Sequence, residues 1–249
     1  MTDTARSPHG AATVASLLRE RSARLGHQPL LTYYDDRSGE RTELSYATFD
    51  NWVSKSANLL VEDLGLRPGQ VVSIAADDHW TGWVVTVAAW RAGAAVRWAA
   101  ADPHADVVVV PESAVSQAVA GHPSLVVVGD GLGGRLTAPA PGVAYGDEVL
   151  AHDDHFEDAG GGAGPAVLGQ SHDLTHADLL DAAAAPPGVR VLTTGALREP
   201  AAVTLGLVAP LVAGGSSVWC PRAAGADMAG RATSEKVSAV LRGERLDPV

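Results

Sequence analysis

Residues 71–96 read VVSIAADDHWTGWVVTVAAWRAGAAV, and this stretch decides the fold class. Val71 to Ala75 is an apolar run of strand length. Asp78 then stands where a helix N-cap is expected, and Trp80, Trp83, Val84, Val87 and Trp90 recur at helical spacing until Gly93 ends the pattern. Two more apolar runs follow, Val107 to Val110 and Leu125 to Val128, with a short helical stretch around Ala114 to Ala120 between them. These two runs contain no polar residue. Strands of that kind are covered on both faces, as in a parallel sheet with helices above and below. The expected fold class is therefore α/β, a mainly parallel sheet flanked by helices.

Reading outward toward the N-terminus, Val14, Leu17, Leu18 and Leu25 form one helical stripe that Gly26 closes. Leu30 to Tyr34 and Thr42 to Leu44 flank the polar run Asp35 to Gly39, the composition of a hairpin loop. Ser45 is placed to cap a long helix carrying Phe49, Trp52, Val53, Leu59, Leu60 and Leu64. Toward the C-terminus, residues 129–165 are rich in Gly, Pro and acids and keep no period, so they read as a loop-rich insertion. Thr175 and Asp178 have the spacing of a capping box opening a helix through Ala185. A strand at Val189 to Thr193, a helix from Pro200 to about Val212 and a strand at Ser217 to Trp219 complete the pattern. The expected organisation is a flexible N-terminus over 1–12, one α/β domain over 13–222 and a C-terminal tail over 223–249.

Composition narrows the function. The 249 residues include 29 acids and 18 bases, a net charge of −11. A non-specific nucleic-acid binder needs the opposite balance to displace phosphate counterions, and acidic membranes are disfavoured on the same ground. Cys220 is the single cysteine, so an internal disulfide and a cysteine-based zinc site are both excluded. No apolar leader and no charge-free apolar run of membrane-spanning length occur, so a cytoplasmic protein is expected. Only Lys55 and Lys236 are lysines among the 18 bases.

The candidate motifs each have a bland reading beside the chemical one. Gly129, Gly131 and Gly134 satisfy G-x-G-x-x-G after an apolar strand, with Asp153 and Asp154 about twenty residues on. Pro139 and Pro141 follow too soon for the helix whose N-terminus would hold a phosphate, which favours a plain glycine turn. His172 and His176 are four apart and could share a helix face with Asp173 or Asp178 as metal ligands, but a cap at Thr175 puts His172 outside the helix. The His152, Asp153, Asp154, His155 cluster reads as a solvated loop. Ser171, His172 and Asp173 are adjacent in sequence, an arrangement triad geometry does not use. Trp80, Trp83 and Trp90 read as helix-to-sheet packing, with an aromatic ligand wall as the alternative.

In order, the helix at Thr13 to Leu25, LSYATFD at 44–50, GLRPGQVV at 65–72 and AWRAGAAV at 89–96 resemble the opening of the adenylate-forming (AMP-binding) superfamily of acyl-CoA synthetases and peptide-synthetase adenylation domains. LTHADLL at 174–180 is similar to the helix after that family's phosphate loop, and LVAPLVAGGSSVW at 207–219 to its next helix and strand. The resemblance covers about Thr13 to Pro221. It implies the fold of the superfamily's N-terminal subdomain and a site for ATP or AMP. On it, Gly160, Gly161, Gly162 and Gly164 fall in the phosphate loop, and Thr175 and His176 fall just after it.

The departures bear on activity. The family's loop has the form T-S-G-T-T-G-x-P-K-G, whereas residues 158–173 here read DAGGGAGPAVLGQSHD, with glycines but no Thr pair and no Pro-Lys-Gly end. Around LTTGALREPAA at 192–202 the family's aromatic or His-containing turn is missing. Neither lysine lies in a matching motif, so no catalytic residue carries over. The expectation is a truncated N-terminal subdomain that is catalytically incompetent and holds no cofactor or metal, and that binds a partner protein or small ligand. The alternative is a degenerate or split acyl-AMP ligase completed by a partner chain. A homodimer is also expected, through Leu205, Leu207, Val208, Leu211, Val212 and Trp219.

Overall fold

A computed structural model of the chain describes residues 13–75, 78–99, 101–160, 164–169, 172–223 and 227–249. The first elements are α1 (Val14–Leu25), β1 (Pro29–Asp35), β2 (Glu40–Ser45) and α2 (Tyr46–Asn58), the last prolonged by a π-helical turn at Leu59–Asp63. Next come β3 (Val71–Ala75), α3 (Trp80–Arg91), β4 (Ala95–Ala99), β5 (Val107–Pro111), α4 (Gln117–Ala120) and β6 (Leu125–Val128). Short pieces follow: β7 (Val143–Ala144), α5 (Tyr145–Glu148), β8 (Pro165–Val167), β9 (Leu174–Thr175) and α6 (His176–Asp181). Then β10 (Arg190–Thr193) leads into α7 (Pro200–Val203), a π-helical turn at Thr204–Val208, and α8 (Ala209–Ala213). The chain closes with β11 (Ser216–Arg222), α9 (Met228–Ser234), β12 (Ala239–Arg242) and β13 (Arg245–Pro248).

The α/β class stands, with two largely parallel sheets. Where the sequence suggested one domain over 13–222 and a tail, the chain groups into two compact units. One comprises the residues up to Asp50 with Thr175–Val249, the other Asn51–Leu174. The stretch read as a tail forms α9, β12 and β13, because Val237 and Ala239 return an apolar edge to the sheet. The glycine in the middle of AWRAGAAV ends α3 and frees Ala95–Ala99 to be a strand, which the helical reading of that motif passed over.

The first unit holds the six-stranded sheet, in the order β13-β12-β10-β11-β1-β2. β12, β10, β11 and β1 run parallel, and β13 and β2 pair antiparallel at its two edges. Both edges resist further pairing: β2 carries Glu40, Arg41 and Glu43, and β13 ends in Pro248. The helical run 200–213 is stopped by Gly214 in the left-handed region at φ 65°, and Arg21 caps it, donating to the carbonyls of Leu211 at 3.2 Å and Val212 at 2.8 Å. Of the six residues expected to face a second copy, Leu207, Val208, Leu211, Val212 and Trp219 are buried within the chain and Leu205 is half-buried.

The second unit is built on a seven-stranded sheet, β7-β6-β5-β3-β4-β8-β9. The valines of β5 and β6 are buried without exception, as their unbroken apolar runs require. All twelve residues of α3 are buried, so Trp80, Trp83 and Trp90 are core residues rather than a ligand wall. Trp90 Nε1 donates to the Ala166 carbonyl at 2.7 Å, and Trp98 Nε1 to the Thr86 hydroxyl at 3.2 Å. His79 caps α3 instead of Asp78, its side chain accepting from the Thr81 amide.

Close approach explains one glycine of this unit. An ideal Cβ on Gly129 would lie 1.9 Å from the Arg135 carbonyl oxygen, whereas one on Gly121 meets nothing within 4 Å. Gly129→Ala is expected to cost about 3 kcal/mol and Gly121→Ala less than about 0.5 kcal/mol, in urea titrations of the two variants.

Candidate functional site

The order of the second sheet creates a crevice. The chain passes from β3 through α3 to β4 on one side of β3, then returns to lay β5 and β6 on the other side. Where strand order reverses, the carboxyl ends of neighbouring parallel strands leave space between the departing connections. Here that space is a narrow cleft open to solvent. Its floor is Ile74 and Ala75 of β3, Val109 to Pro111 of β5 and Val128 of β6; its wall is Thr81, Gly82 and Val85 in the first turns of α3. The Thr81 hydroxyl is already 2.8 Å from His79 Nδ1. The closed part has room for about one water, so the cleft as it stands is too narrow for a nucleotide base. No sequence signal marks it, because it follows from strand order.

The glycine turn borders the same cleft. Gly134, at φ 80°, has Tyr145, Val128 and Thr81 within 3.1 to 3.4 Å of an ideal Cβ. Its amides are spent inside the turn: Gly129 donates to Gly134, Gly131 to Arg135 and Gly134 to Gly131, at 2.8 to 2.9 Å. A phosphate cradle needs those N–H groups directed outward. The fingerprint at Gly129, Gly131 and Gly134 is thus a closed turn, and Asp153 and Asp154 lie exposed in the loop beyond it.

That loop is fastened. Asn58 donates through Nδ2 to the carbonyls of Asp153 and His155, at 2.9 Å each, and Lys55 Nζ donates to the carbonyl of His152. The His152 ring lies 3.1 Å from both Glu62 and Asp63. Arg91, buried at the end of α3, pairs with Asp158 at 2.7 Å, donates to the Ser54 hydroxyl at 2.8 Å, and accepts at its carbonyl from the Ala159 amide. This chain of contacts ends at Gly160, which is exposed at φ 70°. Gly164 is exposed as well, and an ideal Cβ on either glycine meets no neighbour within 4 Å. Gly161 and Gly162 lie outside the described residues.

Thr175 and His176 serve the first turn of α6. The Thr175 hydroxyl accepts from the Asp178 amide at 3.2 Å, and Asp178 accepts in return from the Thr175 amide at 2.8 Å, a completed capping box. His176 is 5% exposed, and burial pushes its imidazole down to about 4. His172 is exposed on the preceding loop, so the two histidines do not share a helix face. Among the described residues, no group of three or more His, Cys, Asp and Glu side chains is arranged to hold a metal ion. Also among them, no helix is long and apolar enough to cross a membrane.

The comparisons follow this architecture. Residues 18–116 match the family model described as AMP-binding enzyme. Among solved structures, the chain is similar to an acyl-CoA synthetase of Brucella canis (15% identity, TM-score 0.74, 92% of this chain and 46% of that one). It is also similar to a benzoate CoA ligase of Burkholderia xenovorans (19%, TM-score 0.71, 92% and 49%) and to the anthranilate CoA ligase AuaEII in complex with anthranoyl-AMP (16%, TM-score 0.70, 85% and 45%). The fold is therefore the one these enzymes share over about half of their length, and the chain spans about half the length of these solved structures. It is also 34% identical over 224 residues to the "TIGR03089 family protein" of Mycobacterium tuberculosis, covering 86% of this chain and 91% of that protein. The chain belongs to the TIGR03089 family.

The depressed value at His176 gives a pH prediction. Folding favours the neutral ring, so its contribution is complete above the ordinary value of 6.5 and is lost as pH falls from there toward about 4. The loss is on the order of 3 kcal/mol. Urea midpoints at pH 7 and pH 4 should therefore separate less in His176→Gln than in the unmodified chain.

Proposed function

We propose that this chain is a binding module on an adenylate-forming fold and has no adenylation activity of its own. The observation that carries the reading is the prior commitment of the groups such chemistry would need. The Thr175 hydroxyl is bound to its capping partner. Lys55 donates to the His152 carbonyl, and Lys236 occupies a left-handed turn after α9 at φ 53°. Gly160 and Gly164 offer backbone without a side-chain hydroxyl or cation, which could accept an anion but not orient the outer phosphates of ATP. The solved neighbours named for benzoate, anthranilate and acyl-CoA chemistry suggest an organic acid, or its adenylate, as the ligand class.

The second reading is a split acyl-AMP ligase that a partner chain completes, and the sequence motifs at 44–50, 65–72 and 89–96 favour keeping it. A cytoplasmic setting accompanies both readings. Association between copies goes with both readings; on the 200–213 run Leu207, Val208, Leu211 and Val212 are buried within the chain, whereas Leu205 is half-buried.

Exchange of labelled pyrophosphate into ATP, with a panel of aryl and fatty acids, decides between catalysis and binding. The isolated chain is expected to give no exchange above the enzyme-free control, and acid-dependent exchange by it would end the binding-module reading. Exchange that arises only on adding a second polypeptide would establish the split ligase. In a parallel thermal-shift screen, a ligand held at 100 times its dissociation constant should stabilise the fold by about 2.7 kcal/mol.

A further inference from the structure

The two faces of the first unit's sheet are covered unequally. Ser217 and Trp219 point toward the 200–213 side, the Ser217 hydroxyl donating to the Gly206 carbonyl and Trp219 Nε1 to the Gly195 carbonyl. Leu192, Val218 and Cys220 point the other way, as strand alternation demands. On that side they pack against Ala232, Val237, Met228 and Val240, all from the segment 227–249, and against Tyr34.

The segment's buried apolar side chains are small, Ala232, Val237 and Ala239, with Met228, Val240, Leu241 and Leu246 half-covered around them. α9 buries only Ala232 and β12 only Ala239, and the β12–β13 hairpin is the edge of the sheet. β12 meets β10 at Val191 with Ala239 and Leu192 with Val240. Polar contacts supply much of the attachment. Glu235 accepts from the Tyr34 hydroxyl, from Arg41 at 3.1 Å and from Arg190 at 2.5 Å, and Arg190 Nε also donates to the Glu235 carbonyl at 2.6 Å. Arg231 grips Asp36 with both terminal nitrogens, at 2.6 and 3.1 Å, and its guanidinium lies 4.1 Å from the centre of the Tyr34 ring. Lys236 follows in the left-handed region at φ 53°, where a side chain is strained.

We propose that residues 227–249 open as a unit from the rest of the sheet, a clasp fastened by Glu235 and Arg231 that covers the chain's single thiol, Cys220. Opening costs less than global unfolding because the core on the opposite face, with Leu17, Leu18, Tyr33 and Trp219, stays packed. While the clasp is closed, Cys220 is fully buried and its thiol sits above its ordinary range, through burial that Arg231 only partly offsets.

The full chain tests this with an aromatic disulfide reagent. The Cys220 thiolate attacks the reagent's disulfide, forms a mixed disulfide and releases a coloured aromatic thiolate. Labelling in native buffer should run faster than global unfolding allows and should depend only weakly on denaturant below the main transition. Raising salt to 1 M should speed it about twofold, by screening the half-exposed Arg41 arm, while the Glu235–Arg190 and Arg231–Asp36 pairs are largely shielded from salt. Glu235→Gln should speed it at least tenfold, and Lys236→Gly, which relieves the strained turn, should slow it about two- to fivefold. If Glu235→Gln fails to fold, the salt series and Lys236→Gly carry the test. Labelling that tracks global unfolding at every denaturant concentration, or that ignores salt and both substitutions, overturns the proposal.

Discussion

The parallel ladders β5-β3-β4 and β1-β11-β10 present apolar side chains on both faces, and neither face can be left to water. The remaining architecture follows from that requirement. A parallel strand is reached only by a crossover, and three of the crossovers bring their own cover: α3 between β3 and β4, the 200–213 run between β10 and β11, and α9 between β11 and β12. Because crossovers keep one hand, covering both faces obliges the chain to reverse direction across the sheet. In the second unit the reversal at β3 opens the cleft beside Thr81. In the first, the reversal at β10 sends α9 to the face opposite the 200–213 run. The cleft and the clasp are thus two outcomes of one topological rule.

Several arginines in this protein tie distant parts of the chain together. Arg21 closes the end of a helix, Arg91 anchors the loop carrying Asp158, Arg222 pairs with buried Asp35 at 2.7 Å, and Arg190 reaches both the hydroxyl of Thr32 and Glu235. A guanidinium suits these tasks because its planar fork meets several acceptors at once while remaining charged. A lysine offers a single flexible point charge, and only two occur. Arg91 is the one buried arginine or lysine among the described residues, and most of the others stay at the surface with the acidic surplus.

The strands were legible from sequence because continuous valine runs have no solution except burial, and Val107 to Val110 and Leu125 to Val128 behave accordingly. Thr175 was legible for a local reason, since a capping box is complete within four residues. What escaped the sequence depends on distant partners. The 152–160 loop has the composition of a free connection, yet Asn58 and Arg91 fasten it across dozens of residues through carbonyls and a single carboxylate. The last 27 residues look like a fraying end because their apolar content is low, and their place in the sheet depends on Glu235 finding Tyr34, Arg41 and Arg190. Composition reports what a segment contains and is silent about which acceptors it meets.

The glycine turn at 129–134 shows the same limit at the level of a site. Its spacing matches a nucleotide fingerprint, and the fold places it beside a topological switch point, where such a fingerprint belongs. Two independent signals therefore coincide. The amide directions decide against them: Gly129, Gly131 and Gly134 donate to carbonyls of their own turn, and no helix opens directly after Gly134, the next elements being β7 and the four-residue α5 from Tyr145. Gly129 is required there for a steric reason, the approach of Arg135, which fixes the same residue type by a different route. A glycine pattern identifies where backbone comes close to something. Whether that something is a ligand or the chain itself is settled by where the N–H groups point, and in this turn they point at the chain.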